Sequence, residues 1–176
     1  MKRKIALLSL AVLLAACLPT PPPTPISTLT PSEMPATTVP PLVEISVYFT
    51  DRNLFVAGTP PFERAVTRYV PAGSNLAEAV LTEYFKGPTP DEAAQGLEAI
   101  TSGFTGFSRL EVVDGVAHVY LVGTCSTGGA AYNIATPLIR NLTQFADIQH
   151  VKIYDENGQT GDPSGVGNSI PACLEP

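Results

Sequence analysis

Residues 109–121 read Arg109-Leu110-Glu111-Val112-Val113-Asp114-Gly115-Val116-Ala117-His118-Val119-Tyr120-Leu121. Two alternating apolar runs flank an Asp-Gly pair. A two-residue type I′ turn needs positive φ at both central residues, and Asp-Gly tolerates it. Such a turn also matches the twist of the strands it joins. The stretch predicts a hairpin with strands near 108–113 and 116–122.

Working toward the N-terminus, Leu76, Val80, Leu81 and Tyr84 recur at helical spacing. They predict an amphipathic helix over 75–86 with Ser74 as its N-cap. Gly87 and Pro88 are its stop signals, with Gly87 expected at positive φ. Pro90 to Ala94 reads as one further helical turn, its proline and acids placed as a helix N-terminus prefers. Before these, Val43, Ile45, Val47 and Phe49 alternate as a half-buried strand, and Arg64 to Val70 form a second strand that Pro71 ends.

Toward the C-terminus, "CSTGG" is a loop. Ala131, Ile134, Leu138, Leu142 and Phe145 mark one face of a single helix that Pro137 should kink. Val151 and Ile153 belong to a last strand, and the chain from Asn157 onward is a Gly-, Ser- and Pro-rich tail. The order β-β-α-β-β-α-β predicts an α+β two-layer sandwich with helices on one face of a mixed sheet.

Three of these segments, in this order, resemble the GerMN domain of bacterial sporulation and germination lipoproteins. They are "LAEAVLTEYFKGPTPDE", "VVDGVAHVYL" and "IRNLTQFADIQHVKI". The resemblance covers about residues 45–155. It implies an α+β domain similar to the ring-building motifs of secretion and sporulation complexes. It also implies action by protein–protein association, with no catalytic set to carry over. The chain departs from the pattern at Asn141, at Gly103-Phe104 and in having a Cys125/Cys173 pair.

The N-terminal segment places the chain. Lys2, Arg3 and Lys4 precede a short apolar run that ends in Leu14-Ala15-Ala16-Cys17. The run is too short to span a bilayer and reads as a signal peptide over 1–16. The "LAAC" ending looks like a bacterial lipobox, which implies cleavage before Cys17 and a diacylglycerol on its sulfur. Residues 17–41 form a lipidated cysteine and a Pro/Thr-rich tether, able to reach roughly 70 Å when extended as polyproline II. The domain proper spans 42–176. The full chain carries a net charge of −6, and removing 1–16 leaves 7 basic and 16 acidic residues, or −9. No basic stripe exists, which argues against a nucleic-acid partner. An acidic body is repelled by anionic headgroups and should stand off the membrane.

Residue chemistry offers several alternatives. Cys125 and Cys173 are an even pair in an oxidising compartment, expected as a disulfide. Cys125, in a glycine-rich loop before a helix, is also a candidate nucleophile, with His118 or His150 as base. On the alternating pattern both histidines read as solvated strand residues. "KGPTPDE" is not a phosphate loop, because its lysine precedes the glycine and its prolines remove donors. "DENGQTGD" from Asp155 to Asp162 is faintly like a calcium loop but lacks the EF-hand glycine and glutamate steps. Glu78, Glu83, Asp91 and Glu92 read as exposed helix acids rather than glycosidase carboxylates. Tyr48 and Tyr120 are expected on outer strand faces, and the Asn141-Leu142-Thr143 sequon reads as coincidence.

No catalytic residue, cofactor or metal site is predicted. The leading function is a non-enzymatic, lipid-anchored extracytoplasmic module that assembles or positions envelope complexes through a protein partner. The alternatives are a lipoprotein that binds a glycan or small solute and, behind it, a thiol enzyme.

Overall fold

The computed structural model describes residues 40–176. The expected signal peptide, Cys17 and nearly all of the tether lie outside them. Strand β1 (Leu42–Asp51) leads through the short helix α1 (Arg52–Ala57) to β2 (Glu63–Pro71). Then come α2 (Leu76–Lys86), α3 (Pro90–Ala94), β3 (Leu97–Glu98), β4 (Phe104–Val113) and β5 (Val116–Gly123). Helix α4 (Ala135–Leu142), β6 (His150–Tyr154) and a final 3₁₀ turn at Ala172–Leu174 complete the fold.

The α+β class and the predicted order of elements hold, with short additions. The sheet differs in one respect. The strands form two three-stranded sheets, ordered β2-β1-β3 and β4-β5-β6, instead of one. In the first, β1 is antiparallel to both neighbours. In the second, β4 and β5 form the predicted hairpin, and β6 runs parallel to β5 after the α4 crossover. Helices α2 and α4 pack on each other and bridge the two sheets. α2 lies against β1 and β4, and α4 against β1 and β6.

One core results. Ile45, Val47 and Phe49 of β1, Val80, Leu81 and Tyr84 of α2, Val119 of β5, Leu138 and Leu142 of α4, and Ile153 of β6 belong to one buried cluster. The Tyr84 ring stacks on Phe49 at 5.5 Å between centroids. Its hydroxyl donates to the Ile100 carbonyl at 2.8 Å, so the buried polar tip is satisfied.

The local signals mostly place the elements correctly. Asp114 and Gly115 both have positive φ, +50° and +80°, as a type I′ turn demands. Thr89 and Glu92 form a reciprocal capping box at the start of α3. Two expectations need correction. The N-cap of α2 is Asn75, whose side chain accepts from the Glu78 N–H, while the Ser74 hydroxyl donates back to Pro71 O. Helix α4 begins only at Ala135 and ends at Leu142, so Ala131 and Phe145 lie outside it. Pro137 therefore sits in the first turn, where its missing N–H would have had no partner, and no kink is called for.

Gly87 closes α2 at φ +83° and ψ 174°, with its N–H donating to the Tyr84 carbonyl. This is the region open essentially only to glycine, beyond the left-handed helical well that the sequence suggested.

Candidate interaction surface

The hydrogen-bond phase of sheet β2-β1-β3 sets which backbone groups face outward. At its two ends Asp51 N donates to Phe62 O and Ala72 N to Pro41 O. With the register Leu42↔Pro71 through Thr50↔Glu63, the odd-numbered residues of β1 exchange bonds with even-numbered residues of β2. The even-numbered residues of β1 thus turn their N–H and C=O away from β2. The odd-numbered residues of β2 turn theirs to the outer edge.

Those two edges are treated differently. On β1, β3 pairs only with Thr50 and Asp51. Further along, side chains from α4 and the turn after it meet the Tyr48 N–H and C=O and the Ser46 C=O. Asn141, fully buried, accepts from Tyr48 N at 2.9 Å and donates to Tyr48 O at 2.8 Å. Its amide also donates to Pro137 O. Gln144 Nε2 donates to Ser46 O at 3.1 Å, and the Arg140 guanidinium lies over the Tyr48 ring at 4.4 Å. One carboxamide thus serves β1 as a neighbouring strand would. Tyr48 is thereby closed to pairing with a further strand. The contact also gives Asn141, read from the sequence as a chance sequon, a structural task.

The edge of β2 has no such cover. Among the described residues, no hydrogen bond reaches the N–H of Ala65, Thr67 or Tyr69. The Thr67 carbonyl is held by Arg68 Nη1 at 3.0 Å. Arg68 is the hub of this corner. It forms a two-pronged pair with Glu92 at 2.8 and 2.6 Å, approaches Glu83 at 3.7 Å and lies 5.8 Å from the Phe49 ring centre. The guanidinium holds the Glu92 carboxyl down to about 2. Glu83 is also bound by Lys86 at 2.5 Å. An open groove of about 380 Å³ lies between the C-terminal end of β2 and α2, lined by Val70, Pro71, Glu78, Ala79, Thr82 and Glu83.

A second exposed feature is aromatic. Phe55, 45% exposed, touches Phe62 and Tyr132 at centroid distances of 5.3 and 5.2 Å. The Tyr132 hydroxyl donates to Glu63 at 2.5 Å, and burial with this carboxylate pushes the phenol up. Helix α1 buries none of its residues.

The candidate chemical residues do not converge. Cys125 and Cys173 are joined in a disulfide with Cα atoms 6.3 Å apart, which leaves Cys125 without a free thiol. His118 is half-buried rather than solvated. Its Nδ1 shares a 3.0 Å hydrogen bond with the Tyr154 hydroxyl. His150 lies at the start of β6. Glu78 and Glu83 line the same helix flank, and Glu83 and Glu92 converge on Arg68 rather than facing each other across a cleft. In the Asp155 segment the carboxylate accepts from the Asn157 and Gln159 N–H groups, a polar turn. Among the described residues, no three of His, Cys, Asp and Glu gather as metal ligands. Tyr48 and Tyr120 do face outward, but Arg140 and Arg109 cover their rings.

Sequence reading missed Arg68, Asn141, Gln144 and the buried Lys152, whose ammonium is held by the Asp162 and Gly165 carbonyls at 2.8 and 2.7 Å. Alternation at 64, 66, 68 and 70 marks Arg68 as inward-facing, a signal available beforehand. Nothing local points to the others.

A family model described as Germane, sporulation and spore germination, matches residues 46–162. No curated protein matches the chain. The chain is similar to solved structures that include the following two. The tandem GerMN domains of the sporulation protein GerM from Bacillus subtilis are 17% identical, with a TM-score of 0.44. That match covers 67% of this chain and 43% of the tandem-domain chain. The first GerMN domain of the same protein is 22% identical with a TM-score of 0.47, over 76% of this chain and 97% of that one.

Proposed function

The chain belongs to the Germane family of sporulation and spore germination domains, and on that premise we propose that it is a non-enzymatic interaction module of the cell envelope. Cys17 carries the lipid that anchors it to the bacterial membrane. The Pro/Thr-rich segment carries the domain away from that surface. There the domain assembles or positions envelope complexes by contact with a protein partner. The observation that supports association most is the uncovered edge of β2, in a sheet whose other long edge is met at Thr50, Tyr48 and Ser46 by β3 and by side chains. Open strand edges are templates for pairing.

The experiment has two readouts. The mass of the membrane-extracted protein should correspond to a chain starting at Cys17 and bearing acyl chains. Crosslinking of the native protein in its own cells should retain a specific envelope protein. An unmodified soluble chain with a different N-terminus overturns the anchor. Recovery of the chain alone, with a glycan or small solute bound to it, favours a ligand-binding lipoprotein instead.

A further inference from the structure

We propose that the groove between β2 and α2 binds an extended, basic segment of the partner protein, which adds to the free edge of β2 as a fourth strand. This rests on reading the chain as an interaction module and names the surface it uses.

Three observations combine. The first is the row of outward backbone groups on β2. Ala65, Thr67 and Tyr69 present N–H groups with no partner among the described residues, spaced two residues apart as a new strand requires. The second is the groove itself. It lies between Val70 and Pro71 at the C-terminal end of β2 and the flank of α2. An added strand would lie with one side toward that helix, so alternate side chains would enter the groove while the others face solvent. The third is charge. Glu78 and Glu83 line the wall. Glu83 is shared between Lys86 and Arg68, but no cation pairs with Glu78 among the described residues. The chain after the signal peptide carries −9. Lysine or arginine at the groove-facing positions would meet Glu78, and acidic side chains there would be repelled. The Ala79 and Val70 surfaces would pack the aliphatic stems of those long cations.

The test uses the full-length chain and two fluorescent nine-residue peptides, the length of β2. One alternates lysine with valine and the other glutamate with valine. The lysine peptide should bind about tenfold or more tightly than the glutamate peptide. Hydrogen exchange should slow in residues 63–71 when it does. Thr67→Pro removes an edge donor while leaving the β1 ladder intact, and it should weaken binding about tenfold or more. Glu78→Lys should abolish the preference for lysine. Equal binding of both peptides, or protection confined to the Phe55–Phe62–Tyr132 cluster, overturns the assignment. So does a full-length chain that dimerises and becomes monomeric on Thr67→Pro, since the edge would then belong to a second copy. If crosslinking in cells still captures the partner with Thr67→Pro and Glu78→Lys at wild-type yield, the module reading stands and this surface is wrong. If no partner is captured from wild-type cells, the module reading itself fails.

Discussion

The two long edges of the β2-β1-β3 sheet lie on adjacent strands and meet opposite fates. β1 has its outward N–H and C=O groups met at Tyr48 by Asn141, and its Ser46 carbonyl met by Gln144. β2 leaves those of Ala65 and Tyr69 to solvent. The second sheet has a closure of the same kind. Its β6 edge is closed by the tail, where Ser169 exchanges bonds with Val151 and Ile153 and Asn168 accepts from Val151 N. Closure thus costs dedicated polar side chains at the buried edges, and their absence on β2 marks that edge as available. Each closed edge should be sensitive to mutation, and the open edge should be tolerant.

The largest expected effect lies at the tail. Cys125 and Cys173 are 48 residues apart, and removing their bond as Cys125→Ser/Cys173→Ser should cost about 4 kcal/mol in chemical denaturation. Hydrogen exchange should rise first at Ser169 and the β6 edge while β1 stays protected. Equal loosening of both edges would mean that the tail and α4 close the sheets as one unit.

Asn141→Ala comes next. It would leave the half-buried Tyr48 N–H and C=O without partners, and should cost about 2 kcal/mol. If denaturation showed less than about 0.5 kcal/mol, side-chain closure of β1 would be incidental.

Gly87→Ala follows at about 2 kcal/mol, because its φ and ψ admit glycine almost alone. The change would disturb the end of α2, the far wall of the groove, without touching β2. A neutral result would remove the strain argument.

The Arg68–Glu92 pair sharpens the contrast through pH. Glu92 is an acid whose folded value is lowered, from 4.5 to about 2, chiefly by its hydrogen bonds to Arg68. Its stabilising contribution is therefore full above pH 4.5 and is lost as pH falls through about 2. Denaturation of Glu92→Gln across that window should show a smaller loss of stability than wild type. Parallel curves would mean that the pair is energetically idle.

The smallest effect belongs to the open edge. Tyr69→Ser, at a side chain 63% exposed, should change stability by no more than about 0.5 kcal/mol.

Sequence alone determined the local elements. Alternation in 43–49, the Asp114-Gly115 turn and the helical spacing of Leu76, Val80, Leu81 and Tyr84 are short-range signals, set by backbone sterics and by which face must leave water. The disulfide was legible because the domain offers two cysteines and the sequence before it reads as a signal for export, where such a pair would be oxidised. The extent of α4 was less legible, since the apolar spacing runs on through Ile134 and Phe145, which are buried and half-buried without being helical, and through the exposed Ala131. Only the tertiary structure decided that the strands split into two sheets and which edge stays open. Along β1, Asn141 and Gln144 meet Tyr48 and Ser46 from more than 90 residues away. An asparagine in a helix looks the same in sequence whether it faces water or serves a distant strand. Its role follows from where its helix packs, and that is settled by burial of the whole core rather than by any neighbouring residue.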